Sequence, residues 1–97
     1  MKVLPDLNVL GVMSGTSLDG IDVVLVRLGQ TKDKLEWQVL DRESVPYNPE
    51  LRGRLLQAIK PETSNISLIT QLHAEVGVAY AELVSRMQAR NKIDLVA

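Results

Sequence analysis

Cysteine and phenylalanine are absent from these 97 residues, and there are only two tyrosines, one tryptophan and one histidine. Without cysteine the segment holds neither a disulfide framework nor a thiolate metal site, which is compatible with a reducing compartment. So few aromatic rings leave no stacking platform for single-stranded nucleic acid. Excess charge is lacking too: 11 Lys and Arg stand against 12 Asp and Glu, a formal net charge of −1. Neither nucleic acid nor an anionic membrane is therefore an expected partner. No apolar run approaches the roughly 20 residues of a bilayer-spanning helix. Lys2 precedes apolar residues as in an export signal, but Pro5, Asp6 and Asn8 interrupt the run before an h-region forms. These absences lead to the expectation of a cytoplasmic protein. The lone His73 has no ligand or triad partner close in sequence and reads as a surface residue.

What is present centres on Gly11 to Asp22, GVMSGTSLDGID. Two apolar, β-rich runs, Leu7 to Met13 and Ile21 to Leu28, flank a tip of small, hydroxyl-bearing and acidic residues, so the segment reads as strand, loop, strand. The tip, Ser14 to Gly20, is longer than the two to five or so residues that close most hairpins. Gly15 and Gly20 are expected to supply positive φ and close approach to a ligand. Ser14, Thr16 and Ser17 add hydroxyls, and clustered backbone N–H groups would make an anion nest. The loop is not a Walker A motif, because Ile21 and Asp22 stand where Lys and Ser or Thr are required. Asp19 and Asp22 limit the phosphate reading: a carboxylate about 4 Å from a phosphate oxygen is repelled by roughly 4 kcal/mol at an effective dielectric near 20. Either a divalent cation or water intervenes, or the carboxylates point toward sugar hydroxyls or backbone donors. A plain turn accounts for the same residues, since Asp19-Gly20 is a turn dipeptide in its own right.

GVMSGTSLDGID resembles the N-terminal signature of the anhydro-N-acetylmuramic acid kinase family, bacterial sugar kinases of the actin-like ATPase superfamily. The resemblance implies that the hairpin is the first phosphate-binding element for ATP, with the contact carried by Gly15, Thr16, Ser17, Leu18, Asp19, Gly20, Ile21 and Asp22. It also implies magnesium, a 1,6-anhydro-N-acetylmuramic acid substrate, a role in cell-wall recycling and a homodimer. Many superfamily members have an Asp just before the loop for the nucleotide's magnesium; Met13 takes that place here, so no metal ligand is assigned. The family's catalytic base is expected beyond Ala97, and no residue in this chain is assigned that role. Two alternatives stay open: a non-catalytic ATP-binding switch module of the actin-like kind, and a kinase for another sugar.

Beyond the loop, Ile21 to Leu28 is a nearly continuous apolar series, expected to be a central strand covered on both faces. After a polar turn at Gly29 to Asp33, Leu35 to Val45 alternates as an outer antiparallel strand, with Trp37 expected in core packing rather than as a sugar platform. Pro46 and Pro49 end the strand region. Leu51, Leu55, Leu56 and Ile59 predict a short amphipathic helix stopped before Pro61, with Arg52 and Arg54 on a solvated face. Ile69, Leu72, Val76, Ala79, Leu83 and Met87 form the stripe of a long helix from about Ser67 to Ala89 or Arg90, capped from Thr63, Ser64 or Asn65. Its expected details are a Glu82–Arg86 pair and a backbone pressed close to Gly77. QLHAEVGVAYAELV is similar to the same family's long helix. Ile93 to Ala97 reads as the opening of a buried strand, parallel to the first if the crossover is right-handed. The expectation is an α/β, ribonuclease-H-like (actin-like ATPase) lobe: three antiparallel strands, helices, and a returning parallel strand. Residues 1–97 are expected to be the N-terminal part of the first lobe of a longer, two-lobed protein.

Overall fold

The computed structural model describes the backbone of residues 2–97 and the side chains from Pro5 onward. The elements run β1 (Lys2–Met13), β2 (Gly20–Thr31), β3 (Leu35–Pro46), α1 (Pro49–Ala58), α2 (Ile66–Arg90) and β4 (Leu95–Val96). They form one sheet in the order β3-β2-β1-β4, with β1, β2 and β3 antiparallel and β4 parallel to β1. This is the expected mixed α/β topology, including the parallel return of the last strand.

β3 follows its expected bounds, whereas β1 reaches back through irregular pairing between Lys2 and Leu7, β2 runs on through Gly29 to Thr31 where a turn was expected, and β4 is limited to Leu95–Val96. Pro5 lies in that stretch and has no N–H for the ladder. β4 is held on β1 by backbone bonds, Ala97 N–H to the Leu10 carbonyl and Val12 N–H to that of Ala97, both 2.8 Å. Asn8 assists: its amide N–H donates to Asp94 Oδ2 at 2.8 Å, and its side chain donates to the Lys92 carbonyl at 2.9 Å. β4 was expected to be buried, yet Leu95 and Val96 are exposed because the strand lies at the sheet edge.

Each helix begins at an asparagine. Asn48 Oδ1 accepts from Leu51 N–H and Asn65 Oδ1 from Leu68 N–H, both at 2.8 Å, which satisfies N–H groups that the first turn leaves open. Pro49 suits the first helical position, where no backbone donor is needed. Both helices pack on one face of the sheet. Leu51, Leu72, Leu83 and Met87 meet Leu10, Ile21, Val23 and Leu25 in a single cluster.

The other face is open, which corrects the reading of β2 as covered on both sides. Ile21, Val23 and Leu25 are buried, whereas Asp22 and Val24 between them are exposed. Trp37, expected in the core, is 68% exposed on that open face, opposite Leu28. An apolar run does not by itself distinguish one covered face from two. Gly77 also departs from expectation: a Cβ there would meet nothing within 4 Å, so no backbone presses against it.

β3 changes phase at a bulge. Val26 faces Val39 and Leu25 faces Asp41, leaving Leu40 as the extra residue. Beyond it Asp41 and Glu43 share the helix-facing side and meet the end of α2. Arg90 Nε donates to Asp41 Oδ2 at 2.8 Å and Asn91 Nδ2 to the same oxygen at 2.9 Å. Arg86 Nη2 lies 2.9 Å from Glu43 Oε1. Arg86 is thus drawn to β3 and not to Glu82, because the bulge brings a carboxylate within its reach.

Arg90, and after it Asn91, hold the Asp41 carboxyl at about 2, below its ordinary 3.8. A depressed carboxyl contributes stability that is complete above its unfolded-state value and lost as pH falls through the folded one. Acid titration followed by circular dichroism should therefore show stability falling between about pH 4 and pH 2, and Asp41→Asn should flatten that window. Equal slopes for the two proteins would remove Asp41 from the acid response.

Candidate functional site

The β1–β2 tip is built from both ends of its strands. The ladder closes at Met13 opposite Asp22, and the loop turns through a Leu18 N–H to Gly15 carbonyl bond of 3.1 Å. Leu18 carries the turn's positive φ, 53°, and no glycine has one. The expectation for Gly15 and Gly20 is corrected accordingly. Bulky residues are rare in this region of backbone space, and such conformations concentrate at binding and switch segments. Gly20 is required for a different reason: a Cβ there would run into the Val45 carbonyl oxygen and stand 2.8 Å from Pro46 Cα. It lets β3 close against the hairpin. Gly15, with nothing within 4 Å of its virtual Cβ, is open.

The hydroxyls divide between inside and outside. Ser14 turns inward: its Oγ donates to the Gly20 carbonyl at 3.0 Å and accepts from the Tyr47 hydroxyl at 3.0 Å. Tyr80 of α2 stands against the same two residues, and burial raises its phenol above the ordinary value. Ser14 is therefore part of the loop's footing and not of its outer face. Ser17 Oγ donates to Asp19 Oδ1 at 3.0 Å, and Asp22 accepts from Ser44 Oγ at 2.5 Å. Thr16, Ser17 and Asp19 are exposed, Leu18 and Gly20 half-buried. Among the described residues the backbone N–H groups of Thr16 and Ser17 donate to no protein acceptor. Two exposed, unpaired amides beside a hydroxyl are what an anion nest needs.

Not all the residues named from sequence present side chains to this surface. Ile21 is 2% exposed and packs in the core, so only its backbone is available to a ligand. Asp19, Gly20, Ile21 and Asp22 line a shallow depression of about 290 Å³ with Ser44, Val45 and Pro46. Among the described residues no three His, Cys, Asp or Glu side chains converge on a metal position. A magnesium ion at the hairpin would rest chiefly on phosphate oxygens and water, as Mg²⁺ usually does beside nucleotides, with Asp19 and Asp22 as the hairpin's carboxylates.

The start of α1 completes the neighbourhood. Tyr47 N–H donates to the Asp19 carbonyl at 2.9 Å, and burial of Tyr47 and Leu51 sets the first turn beside the tip. Arg52 Nη2 stands 3.5 Å from the Ser17 carbonyl, whereas Arg54 turns to α2, pairing with Glu75 and donating to Gln71 Oε1 at 3.1 Å. The solvated-face reading joined two arginines that the fold separates. Tyr47 and Tyr80 went unassigned in the sequence, and Arg52 was read only as solvated, because their relation to the loop is tertiary. The one local cue was the Pro-Tyr-Asn-Pro turn that follows β3. His73 is exposed, as expected.

A three-stranded antiparallel hairpin sheet with a parallel fourth strand, two crossover helices on one face and a Gly-Thr-Ser loop at its tip is the opening of an actin-like ATPase lobe. The family model described as anhydro-N-acetylmuramic acid kinase matches residues 7–95. A protein of that name from Bacillus thuringiensis subsp. konkukian (strain 97-27) is 37% identical over 79 residues, covering 81% of this chain and 21% of the relative. Another of that name, from Bacillus cereus (strain AH820), is 38% identical over 77 residues, covering 79% and 20%. The chain belongs to the anhydro-N-acetylmuramic acid kinase family, and it spans about one fifth of the length of these relatives.

Proposed function

We propose that this chain is the N-terminal part of the first lobe of an ATP-dependent sugar kinase and supplies its phosphate-binding hairpin. The enzyme opens the 1,6-anhydro ring of anhydro-N-acetylmuramic acid with water and transfers the γ-phosphate of ATP, giving N-acetylmuramic acid 6-phosphate for cell-wall recycling in the cytoplasm. The observation that carries this reading is the family match over residues 7–95, which contains the whole loop and the paired strands on either side of it from Leu7 onward. The free Thr16 and Ser17 amides support a polyphosphate as the ligand. In this reading a magnesium ion accompanying the nucleotide would offset part of the phosphate charge. The loop contributes fixed dipoles: its amides orient the phosphates and withdraw negative charge, a positioning and electrostatic role. Gly20 lets β3 close against the hairpin, Gly15 leaves the tip open to a ligand, Thr16 and Ser17 face the ligand, and Leu18, Ile21 and the Ser14–Tyr47 pair hold the backbone in place. Asp19, bonded to Ser17, orders the loop, Asp22 is bonded to Ser44 of β3, and either carboxylate would accept from water on a bound magnesium. The family's base lies in the part of the protein beyond these residues, and a homodimer is the expected assembly.

The test uses the protein expressed from its complete reading frame. Incubation with MgATP and 1,6-anhydro-N-acetylmuramic acid, followed by mass spectrometry, should yield ADP and a sugar product heavier by one phosphoryl group and one water. Thr16→Ala and Asp22→Ala should reduce product formation. ATP binding without sugar phosphate would replace this reading with a nucleotide switch or a kinase for another sugar.

A further inference from the structure

We propose that Arg52 is the cation of the phosphate site: from the first turn of α1 its guanidinium reaches over the β1–β2 loop and contacts the polyphosphate of the bound nucleotide. The inference rests on the reading of the loop as a nucleotide site, and it adds a residue from outside the hairpin.

The need for a cation arises from the loop's own chemistry. Residues 11–22 contain two carboxylates and no lysine or arginine. Free amides and a threonine hydroxyl orient phosphate oxygens, and a divalent magnesium ion would offset only part of a triphosphate's charge, which leaves negative charge standing near Asp19 and Asp22 for a protein cation to meet. Arg52 is the cation that the fold brings to this spot, with Nη2 3.5 Å from the Ser17 carbonyl. That contact is long and goes to a neutral acceptor, so redirecting the guanidinium to a phosphate oxygen forfeits little. The neighbouring arginines are committed elsewhere: Arg54 to Glu75, Arg86 to Glu43, Arg90 to Asp41 and Glu43. Among the described residues Arg52 has no carboxylate at ion-pair distance.

Its position is also fixed by the fold. Asn48 caps α1 through Leu51 N–H, and the Arg52 N–H donates to the Asn48 carbonyl at 3.0 Å. Leu51 is buried, and Tyr47 is tied to both Ser14 and Asp19. The first turn of α1 is therefore registered against the loop from three directions, and the arginine that follows Leu51 is delivered to the tip. A planar guanidinium with five N–H donors, one of them on Ser17, suits two phosphate oxygens at once, which a lysine ammonium does not match.

The experiment measures binding of ATP, AMP and adenosine, each with magnesium, to the protein from its complete reading frame by isothermal titration calorimetry. Arg52→Ala is expected to weaken ATP by about 10- to 100-fold, the span of a hydrogen bond between charged groups, to weaken AMP less and to leave adenosine unchanged. Arg52→Lys should lie between Arg52→Ala and wild type. Arg54→Ala serves as control: it loosens α1 from α2 and lowers the melting temperature without changing the ratio of ATP to adenosine affinity. Wild-type affinity for ATP in Arg52→Ala would overturn the proposal, as would equal losses for ATP and adenosine, which mark a disturbed loop. A wild-type protein that binds no ATP would remove the nucleotide reading itself, and this proposal with it.

Discussion

Gly20→Ala is expected to lower the melting temperature of the 97-residue chain by about 10–20 °C, a loss of roughly 2–3 kcal/mol for a domain of this size. The reason is local. The added methyl meets the Val45 carbonyl and stands 2.8 Å from Pro46 Cα, and these are backbone atoms of a paired strand that cannot swing aside as a side chain would. Relief requires β3 to part from the start of β2, which pulls Tyr47 from Asp19 and Ser14 and frees the first turn of α1. Gly15→Ala is the matched control, because its Cβ has nothing within 4 Å and its φ is not positive; its effect on stability should stay within about 0.5 kcal/mol. Melting curves of the two variants check this. Equal stability would mean that Gly20 is held by its loop and not by β3.

Leu25→Ala should be among the most damaging single truncations, at about 2–5 kcal/mol. Leu25 is 0% exposed, lies at the centre of β2 and belongs to the cluster that joins the sheet to α1 and α2. Its removal takes away both the transfer energy of the side chain and the contacts around the cavity left behind. A chain of this size buries only around 60 to 65% of its unfolded surface, so such a loss is a large part of the 5–15 kcal/mol typical of a domain. Val24→Ala, one residue away on the open face and 38% exposed, should cost less than about 1 kcal/mol. Urea denaturation with a constant slope separates the two. Similar midpoints for both variants would contradict one-sided burial and restore the doubly covered strand that the apolar run predicts.

Much of this molecule was legible in local patterns. The loop announced itself because its small, hydroxyl-bearing residues interrupt two β-rich runs, and residue type alone limits what a seven-residue tip can bind. Both helices followed from apolar spacing, and the long one also from Asn65, since a capping side chain acts within its own turn; the matching cap at Asn48 emerged only from the structure. The parallel return of β4 followed from the order of elements. Misreadings occurred where a residue's partner is far away in sequence. The glycines illustrate this: a glycine pattern carries no record of whether positive φ, a ligand or a neighbouring strand demands it, and here Leu18 took the φ while Gly20 took the strand.

By itself, then, the sequence determined the hairpin, the helix boundaries, the family and the chemistry available at the loop, because these depend on side-chain type and on spacing within a few residues. Only the tertiary structure decided which face of β2 is covered and that the bulge at Leu40 turns Asp41 and Glu43 toward Arg86 and Arg90. It also decided that Ser14 faces Tyr47 while Arg52 faces the loop. Those outcomes depend on strand register and helix docking, which bring together groups 33 and 35 residues apart and leave no trace in local periodicity.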